Sequence, residues 1–325
     1  MNAIYNIEKY HPQYYEQWND FVATAKNATF LFHRDFMEYH KDRFTDFSLL
    51  VFKNHTLIAL LPAHSIGDTL YSHQGLSYGG FVFGTNTAFK DCLESVKHSM
   101  AYCLDHQIKK LHLKLIPRIY HRIPSDEIDY LLFLLEAQLV RRNLSVAVPI
   151  AGNQPSADRL QGIKRGIKNK LYVREDTDLT EFWNRLLIPR LQHKFNAIPV
   201  HTAEEIRHLK QKFPQNIRQF NVYKDAEIVA GTTIFESHQV ARSQYTASNT
   251  EKNRLGSLDF LQHYLIGDIF TSKKYFDFGT SNQDKGRRVN EGLLYWKQGY
   301  GNGVVTYDFY EVKTENYKKL NPVFT

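Results

Sequence analysis

Two stretches in the second half of the chain carry side chains suited to chemistry. In QYTASNTEKNRLGSLDFLQHYLIGDIF (244–270) an apolar strand pattern ends, a short loop carries Asn253-Arg254-Leu255-Gly256-Ser257, and a helix pattern begins. A loop feeding a helix offers unpaired backbone N–H groups and the positive end of the macrodipole, which together make a pyrophosphate site. Gly256 permits close approach of a ligand to the backbone, and Arg254 adds a charge. The plainer use of the same pattern is a helix cap with a Gly-containing loop. In YFDFGTSNQDKGRRVNEGLLYWKQGYG (275–301) a strand pattern runs into a loop dense in Ser, Asn, Gln, Asp, Lys and Arg, and then into a helix. A third feature is the basic run Arg159, Lys164, Arg165, Lys168, Lys170 and Arg174, which fits either a solvated helix face or a phosphate contact. Aromatics are not interleaved with these charges, which argues against a platform for stacking single-stranded bases.

The elements that must position these residues are legible in outline. A chain of 325 residues, 42% apolar and 14% aromatic, has enough core for two domains of about 150 residues each. Strand and helix patterns alternate throughout, so the class is α/β or α+β. The polar segment AGNQPSAD (151–158) marks a boundary, dividing the chain into 1–150 and 151–325. The pattern then starts again. LLVFKNHTLIALLPAHS (49–65) and FNVYKDAEIVAGTTIFES (220–237) both read as strand, Lys-polar turn, strand. Each is followed by a third strand, at 69–73 and 239–248, and then by a helix, at 87–106 and 256–271. One fold unit is used twice. Further helices are expected over 159–170, over TDLTEFWNRLLIPRL with Thr177 or Asp178 as N-cap, and after Thr202, which with Glu205 has capping-box spacing.

Strand–turn–strand–strand followed by a phosphate-like loop opening a helix resembles the GNAT acyltransferase fold. Two such units in one chain resemble the Fem-type (FemABX) family, which moves amino acids from aminoacyl-tRNA onto cell-wall precursors. Its relatives include acyl-CoA-dependent proteins of surface polysaccharide clusters. The resemblance rests on FLFHRDFMEYHKDRFTDFSLLVF (30–52), SHQGLSYGG (72–80), YFDFGTSN (275–282) and NEGLLYWKQGYG (290–301). In the last, Gly292, Leu293, Lys297 and Gly301 fit the family's Gly-Leu-x-x-Phe-Lys-x-x-Phe-Gly pattern, with Trp296 and Tyr300 in place of Phe. In the coenzyme A loop pattern Gln/Arg-x-x-Gly-x-Gly/Ala, Gly256 matches while Asn253 and Leu258 depart from it. The coiled-coil insertion of some tRNA-using members is missing. The resemblance implies two tandem GNAT-like domains, each a mixed sheet flanked by helices. The second would hold an acyl-CoA donor such as acetyl-CoA at Asn253, Arg254, Gly256 and Ser257, in a gap between strand 239–248 and the strand of Tyr275 to Phe278. In a duplicated fold one unit often loses its donor site, so SHQGLSYGG reads as a wall toward the acceptor, which would enter between the units.

Acyl transfer to an amine needs a base, donors for the tetrahedral oxyanion, and a proton or charge for the leaving group. Asp277 and Glu291 are the candidate bases, with Asp277 expected on the opposite face from Phe276 and Phe278. The Fem resemblance gives Lys297 an active-site role, neutralising charge at the transferred carbonyl. Tyr245 is placed as acid or positioning group. Ser281, Asn282, Arg287 and Asn290 are candidates to hold the acceptor, an amine on an amino sugar or on a nucleotide- or lipid-linked envelope precursor. Each has a duller reading: a loop cap for Asp277, exposed helix positions for Glu291 and Lys297, a half-buried ring for Tyr245, a solvated loop tip for Arg287. The rivals are aminoacyl-tRNA-dependent peptidyl transfer and a non-catalytic binding protein.

Other patterns exclude chemistry. DFG (277–279) and HRD (33–35) imitate kinase motifs but stand over 240 residues apart and lack the spaced Asn. There is no Walker loop. The fifteen histidines are scattered without metal-ligand spacing, so no metal is expected. Cys92 and Cys103 fall on one predicted helix about 16 Å apart, too far for a disulfide. With no signal-peptide pattern at the N-terminus, the expectation is a reduced, cytoplasmic protein. YLLFLLEAQLV is about half a membrane span and reads as a core element, leaving a peripheral contact at the inner membrane face open. The net charge of +7 suits an anionic partner: a nucleotide, a phosphorylated sugar, RNA such as tRNA, or an acidic lipid surface.

Overall fold

The computed structural model of the chain describes residues 3–321, 323 and 324. These form two compact units. One comprises the residues up to Asn143 together with 285–287 and those from Thr306 onward; the other comprises 144–284 and 288–305. The boundary expected at 150/151 therefore falls earlier, inside the strand Gln138–Pro149. The C-terminal segment counts with the first unit because the strand Val304–Lys313 pairs antiparallel with Lys110–Lys114, from Phe309 opposite Lys114 to Lys313 opposite Lys110. That pairing buries Phe309 and Val312.

In the first unit, Tyr5–Lys9, Leu49–Lys53, Thr56–Leu61 and Val82–Phe83 lie side by side in antiparallel register. The hairpin at Asn54-His55 has positive φ at both residues (46° and 72°), the geometry whose twist matches its strands. The helix Phe89–Asp105 buries Cys92, Leu93, Val96, Met100 and Cys103, one apolar stripe at helical spacing. A second group of strands runs from Val304–Lys313 through Lys110–Lys114, Thr69–Tyr71 and His64–Ile66 to Thr45–Asp46. The apolar run expected as a single core element splits. Glu127–Leu134 is a helix, Glu136 turns the chain at φ 53°, and strand begins at Gln138.

In the second unit the strand order is Tyr172–Asp176, Ile217–Lys224, Glu227–Glu236, Val240–Ser248, Tyr275–Thr280 and then Gln138–Pro149. All neighbours are antiparallel except Val240–Ser248 with Tyr275–Thr280. Phe220, Val222, Phe276 and Phe278 point into one core with Leu255, Leu261 and Tyr300. The helices Ala157–Lys168 and Ser257–Tyr264 cover this face. They approach closely because Gly162 and Gly166 leave room for Asp259 and Phe260. Thr202 caps the helix Ala203–Lys212 with Glu205 reaching back, the capping box read from spacing. Asp178 accepts from both the N–H and the hydroxyl of Thr180 where the next helical run begins. That run widens to a π-turn over Trp183–Leu187 before Pro189, where the missing proline N–H removes one helical hydrogen bond.

Candidate functional site

Val240–Ser248 and Tyr275–Thr280 run parallel for only three rungs: Val240 with Tyr275, Ala241 with Phe276, Arg242 with Asp277. Beyond that rung the strands separate. The last rung is stitched by a buried ion pair, Arg242 Nη1 to Asp277 Oδ2 at 2.8 Å. The other carboxylate oxygen accepts from Ser145 Oγ at 2.7 Å and from the Gly279 N–H at 2.8 Å. Gly279 then leaves the strand line with φ 74°, a conformation natural to glycine. Parting strands leave carbonyls without a ladder partner, and Lys297 supplies one. It stands in the last turn of the helix Glu291–Gln298, and its ammonium donates to the carbonyls of Gly279 and Thr280, both at 2.9 Å. An ammonium has three donors, so one remains for whatever occupies the gap.

The gap is a cavity of about 730 Å³ within the second unit. One wall is the free part of Val240–Ser248. There the register slips: Thr233 faces Tyr245 and Ile234 faces Ser243, so Gln244 is the extra residue of a β-bulge. A bulge releases backbone groups from the ladder. The opposite wall is Phe278, Gly279 and Thr280 with Asn290, Leu293, Trp296 and Lys297. The charges on the lining are Arg190, Arg242, Lys252 and Lys297, and among the described lining residues there is no carboxylate. Such a cavity favours an anion.

Burial sets the protonation states. Lys297, 5% exposed, has its pKa pushed down to about 8 by desolvation and by Arg242, against a pull upward from Asp277. Tyr245 shares a hydrogen bond of 2.6 Å with His201 Nδ1 and packs edge-on against Trp183. Burial pushes its phenol up, so it stays protonated at neutral pH.

Of the residues singled out from sequence, Tyr245, Asn290 and Lys297 line the cavity together. Asn290 also caps its helix, accepting from the Leu293 N–H. Asp277 lies behind the wall, wholly buried, on the face opposite Phe276 and Phe278; its carboxylate is committed to Arg242, Ser145 and Gly279. It is placed to hold Arg242. Glu291 is exposed and off the lining. Ser281 is buried outside the lining, Asn282 accepts from the Leu144 N–H, and Arg287 is an exposed residue of the first unit.

The loop expected to hold the donor takes a different form from the one the sequence suggests. Lys252–Leu255 is already a helical turn, Gly256 ends it at φ 72°, and Ser257 opens the next helix. A Cβ on Gly256 would strike the carbonyl of Gly162, so this glycine serves helix contact, with Ser257 fully buried beside it. Asn253 and Arg254 are exposed, and Arg254 pairs with Glu251. The cation that reaches the cavity from this segment is Lys252. In the basic run, Arg159 turns inward to Asp259 at 2.9 Å, while Lys164, Arg165, Lys168 and Lys170 are exposed.

Sequence reading missed Arg242, Arg190, Lys252, His201 and the bulge at Gln244. Nothing in one sequence marks a bulge, which exists only in the register of two strands. Arg190 stands on the helix Ile188–Phe195 and His201 just before the Thr202 cap, elements legible from sequence whose local patterns carry no sign of a site. No helix among the described residues is long and apolar enough to cross a membrane.

No family model matches the chain, and no curated protein matches it. Solved structures do. A structure of FemX aligns over 97% of this chain and 99% of its own, at TM-score 0.69 and 10% identity. The C-terminal domain of a putative lysylphosphatidylglycerol synthetase from Agrobacterium fabrum aligns over 81% and 82%, at 0.55 and 11%. A tandem GNAT protein from the clavulanic acid biosynthesis pathway aligns over 96% and 99%, at 0.50 and 10%. At such identities the likeness is one of fold. The fold is the tandem, FemX-like GNAT architecture expected from the sequence.

Proposed function

From a chain with the tandem GNAT fold, we propose an N-acyltransferase whose second unit takes an acyl group from a CoA ester and delivers it to an amine. The observation that carries this reading is the gap opened after Arg242 and Asp277, with a buried lysine at its head and cations but no carboxylate on its described lining. Arg190 and Lys252 suit the phosphates of the donor. The lack of a carboxylate among the described lining residues favours an acyl group over an aminoacyl group, whose ammonium would find no counter-charge among them.

In the proposed reaction the acceptor nitrogen bonds to the thioester carbonyl carbon, the C–S bond breaks, and an amide and free CoA result. The tetrahedral oxyanion is met by the Lys297 ammonium and by N–H groups freed at the Gln244 bulge. The departing thiolate takes a proton from Tyr245, which regains one through the His201 side or from water. The proton lost by nitrogen passes to water, since Asp277 is tied to Arg242 and Glu291 stands away from the lining. The acceptor is proposed to be the amine of an amino sugar or of a cell-envelope precursor, on the strength of the Fem resemblance.

The test is thermal melting with acetyl-CoA, longer acyl-CoAs, free CoA and bulk tRNA. A ligand at about 100 times its Kd adds about 2.7 kcal/mol. A shift with CoA esters that Lys252→Glu abolishes supports the reading. No CoA shift, with salt-sensitive tRNA binding instead, overturns it in favour of aminoacyl transfer. No shift with either leaves a binding protein.

A further inference from the structure

We propose that the acyl group taken by the second unit is an apolar chain longer than acetyl, seated among the Leu187, Leu191, Ile198, Val200, Leu258 and Leu293 side chains that line the cavity. This deepens the acyl-transfer reading and rests on it.

The cavity has two chemistries. Its charges sit on Arg190, Arg242, Lys252 and Lys297, and most of the rest of its surface is aliphatic or aromatic. The helix Ile188–Phe195 ends at Asn196 with φ 47°, and the segment after it returns along the cavity. That segment displays Ile198 at 76% exposure and Val200 at 70%, and Leu293 across the cavity is 39% exposed. Large aliphatic side chains left wet at the lip of a cationic cavity carry a free-energy cost that an apolar ligand removes. A lone acetyl methyl reaches too little of this surface. A dicarboxylic acyl group would answer the cations and leave the aliphatic walls wet. A chain joined to a phosphate-bearing carrier answers both, with phosphates at the cations and methylenes at the aliphatic walls.

The experiment is calorimetric binding of free CoA and of acetyl-, butyryl-, hexanoyl- and octanoyl-CoA to the full chain, wild type and the I198N/V200N double variant. Both positions are exposed, so the variant should melt with the wild type when no ligand is present. The wild-type Kd should fall about fourfold per added methylene until the walls are covered. The double variant should flatten that slope and leave free CoA binding unchanged. Equal affinity for acetyl- and octanoyl-CoA overturns the inference while CoA binding keeps the acyltransferase reading. A slope that survives in the double variant overturns the placement of the chain. Failure of every CoA species to bind overturns the acyltransferase reading, and this inference with it.

Discussion

Each unit contains one parallel strand pair of three rungs, and the two pairs end differently. In the first unit Thr69, Leu70 and Tyr71 lie beside Lys110, Leu111 and His112. In the second, Val240, Ala241 and Arg242 lie beside Tyr275, Phe276 and Asp277. After Tyr71 the chain fills the space beside its partner. The Ser72 N–H donates to the His112 carbonyl, its hydroxyl accepts from the Lys114 N–H, and Gly79 returns to donate to the Lys114 carbonyl. The side chain of Lys114 holds the Leu76 carbonyl at 2.8 Å. Buried rings of His40, His64 and His73 pack around Phe44 there, and desolvation drives His73 far below its usual pKa. After Arg242 no segment among the described residues comes back to fill the space. A lysine from a later helix takes the stranded carbonyls, and a cavity is left. A parallel pair of the same three rungs thus ends in a filled joint or in an open cavity, according to the path the chain takes past the third rung.

Three substitutions, one of them also read against pH, would break or sharpen that contrast. The largest effect is expected from Arg242→Met, which leaves Asp277 charged and buried without its partner. A loss of about 3–5 kcal/mol is expected in denaturant unfolding, together with loss of CoA-ester binding. An unchanged midpoint would mean that the ion pair does not hold the gap. Next comes Lys297→Met. If this ammonium meets the oxyanion, turnover should fall about 100- to 1000-fold while the Kd for the acyl-CoA moves far less. Comparable loss in both would make it a binding residue only. Its charge also sets a pH profile: turnover that needs the ammonium should decline as pH rises through about 8, whereas a neutral-lysine base would give a rise.

The corresponding lesion in the filled joint is Gly79→Ala, whose added methyl meets the Ser72 carbonyl. It should cost about 1–3 kcal/mol of stability and leave ligand affinity of the second unit unaltered. A changed affinity would tie the two joints together. The smallest effect is on stability against pH. The Lys297 pKa is depressed to about 8 in the folded chain, so between there and the ordinary lysine value the unfolded chain binds more protons. This group's contribution therefore rises with pH over that window and is constant below it. Denaturant midpoints of Lys297→Met should lack the rise; an identical pH curve for variant and wild type would put the lysine in water.

Much of the architecture is legible from residue order. The repeated strand–turn–strand units, the buried alternation of Phe276 and Phe278 against Asp277, and the Thr202–Glu205 cap follow from local period and local chemistry. Lys297 stands out only by its family-like pattern, since its burial is invisible from sequence. Asp277 shows the limit. Its type and its place at a strand exit suit a base, but whether a carboxylate is free depends on its neighbours. Ser145 and Arg242 come from other strands, more than thirty residues away along the chain.

The sequence by itself determined the class of fold, the doubling of the unit and the position of most helices and strands. These depend on periodicity and capping, which act over a few residues. Only the tertiary structure decided which three-rung pair would open, that Gly256 faces Gly162 where a phosphate was expected, and that the strand Val304–Lys313 counts with the first unit from Thr306 onward. Each of these is set by register and by contacts between distant segments. Such contacts form only when the backbone carbonyls and N–H groups left by one strand must find partners somewhere else in the fold.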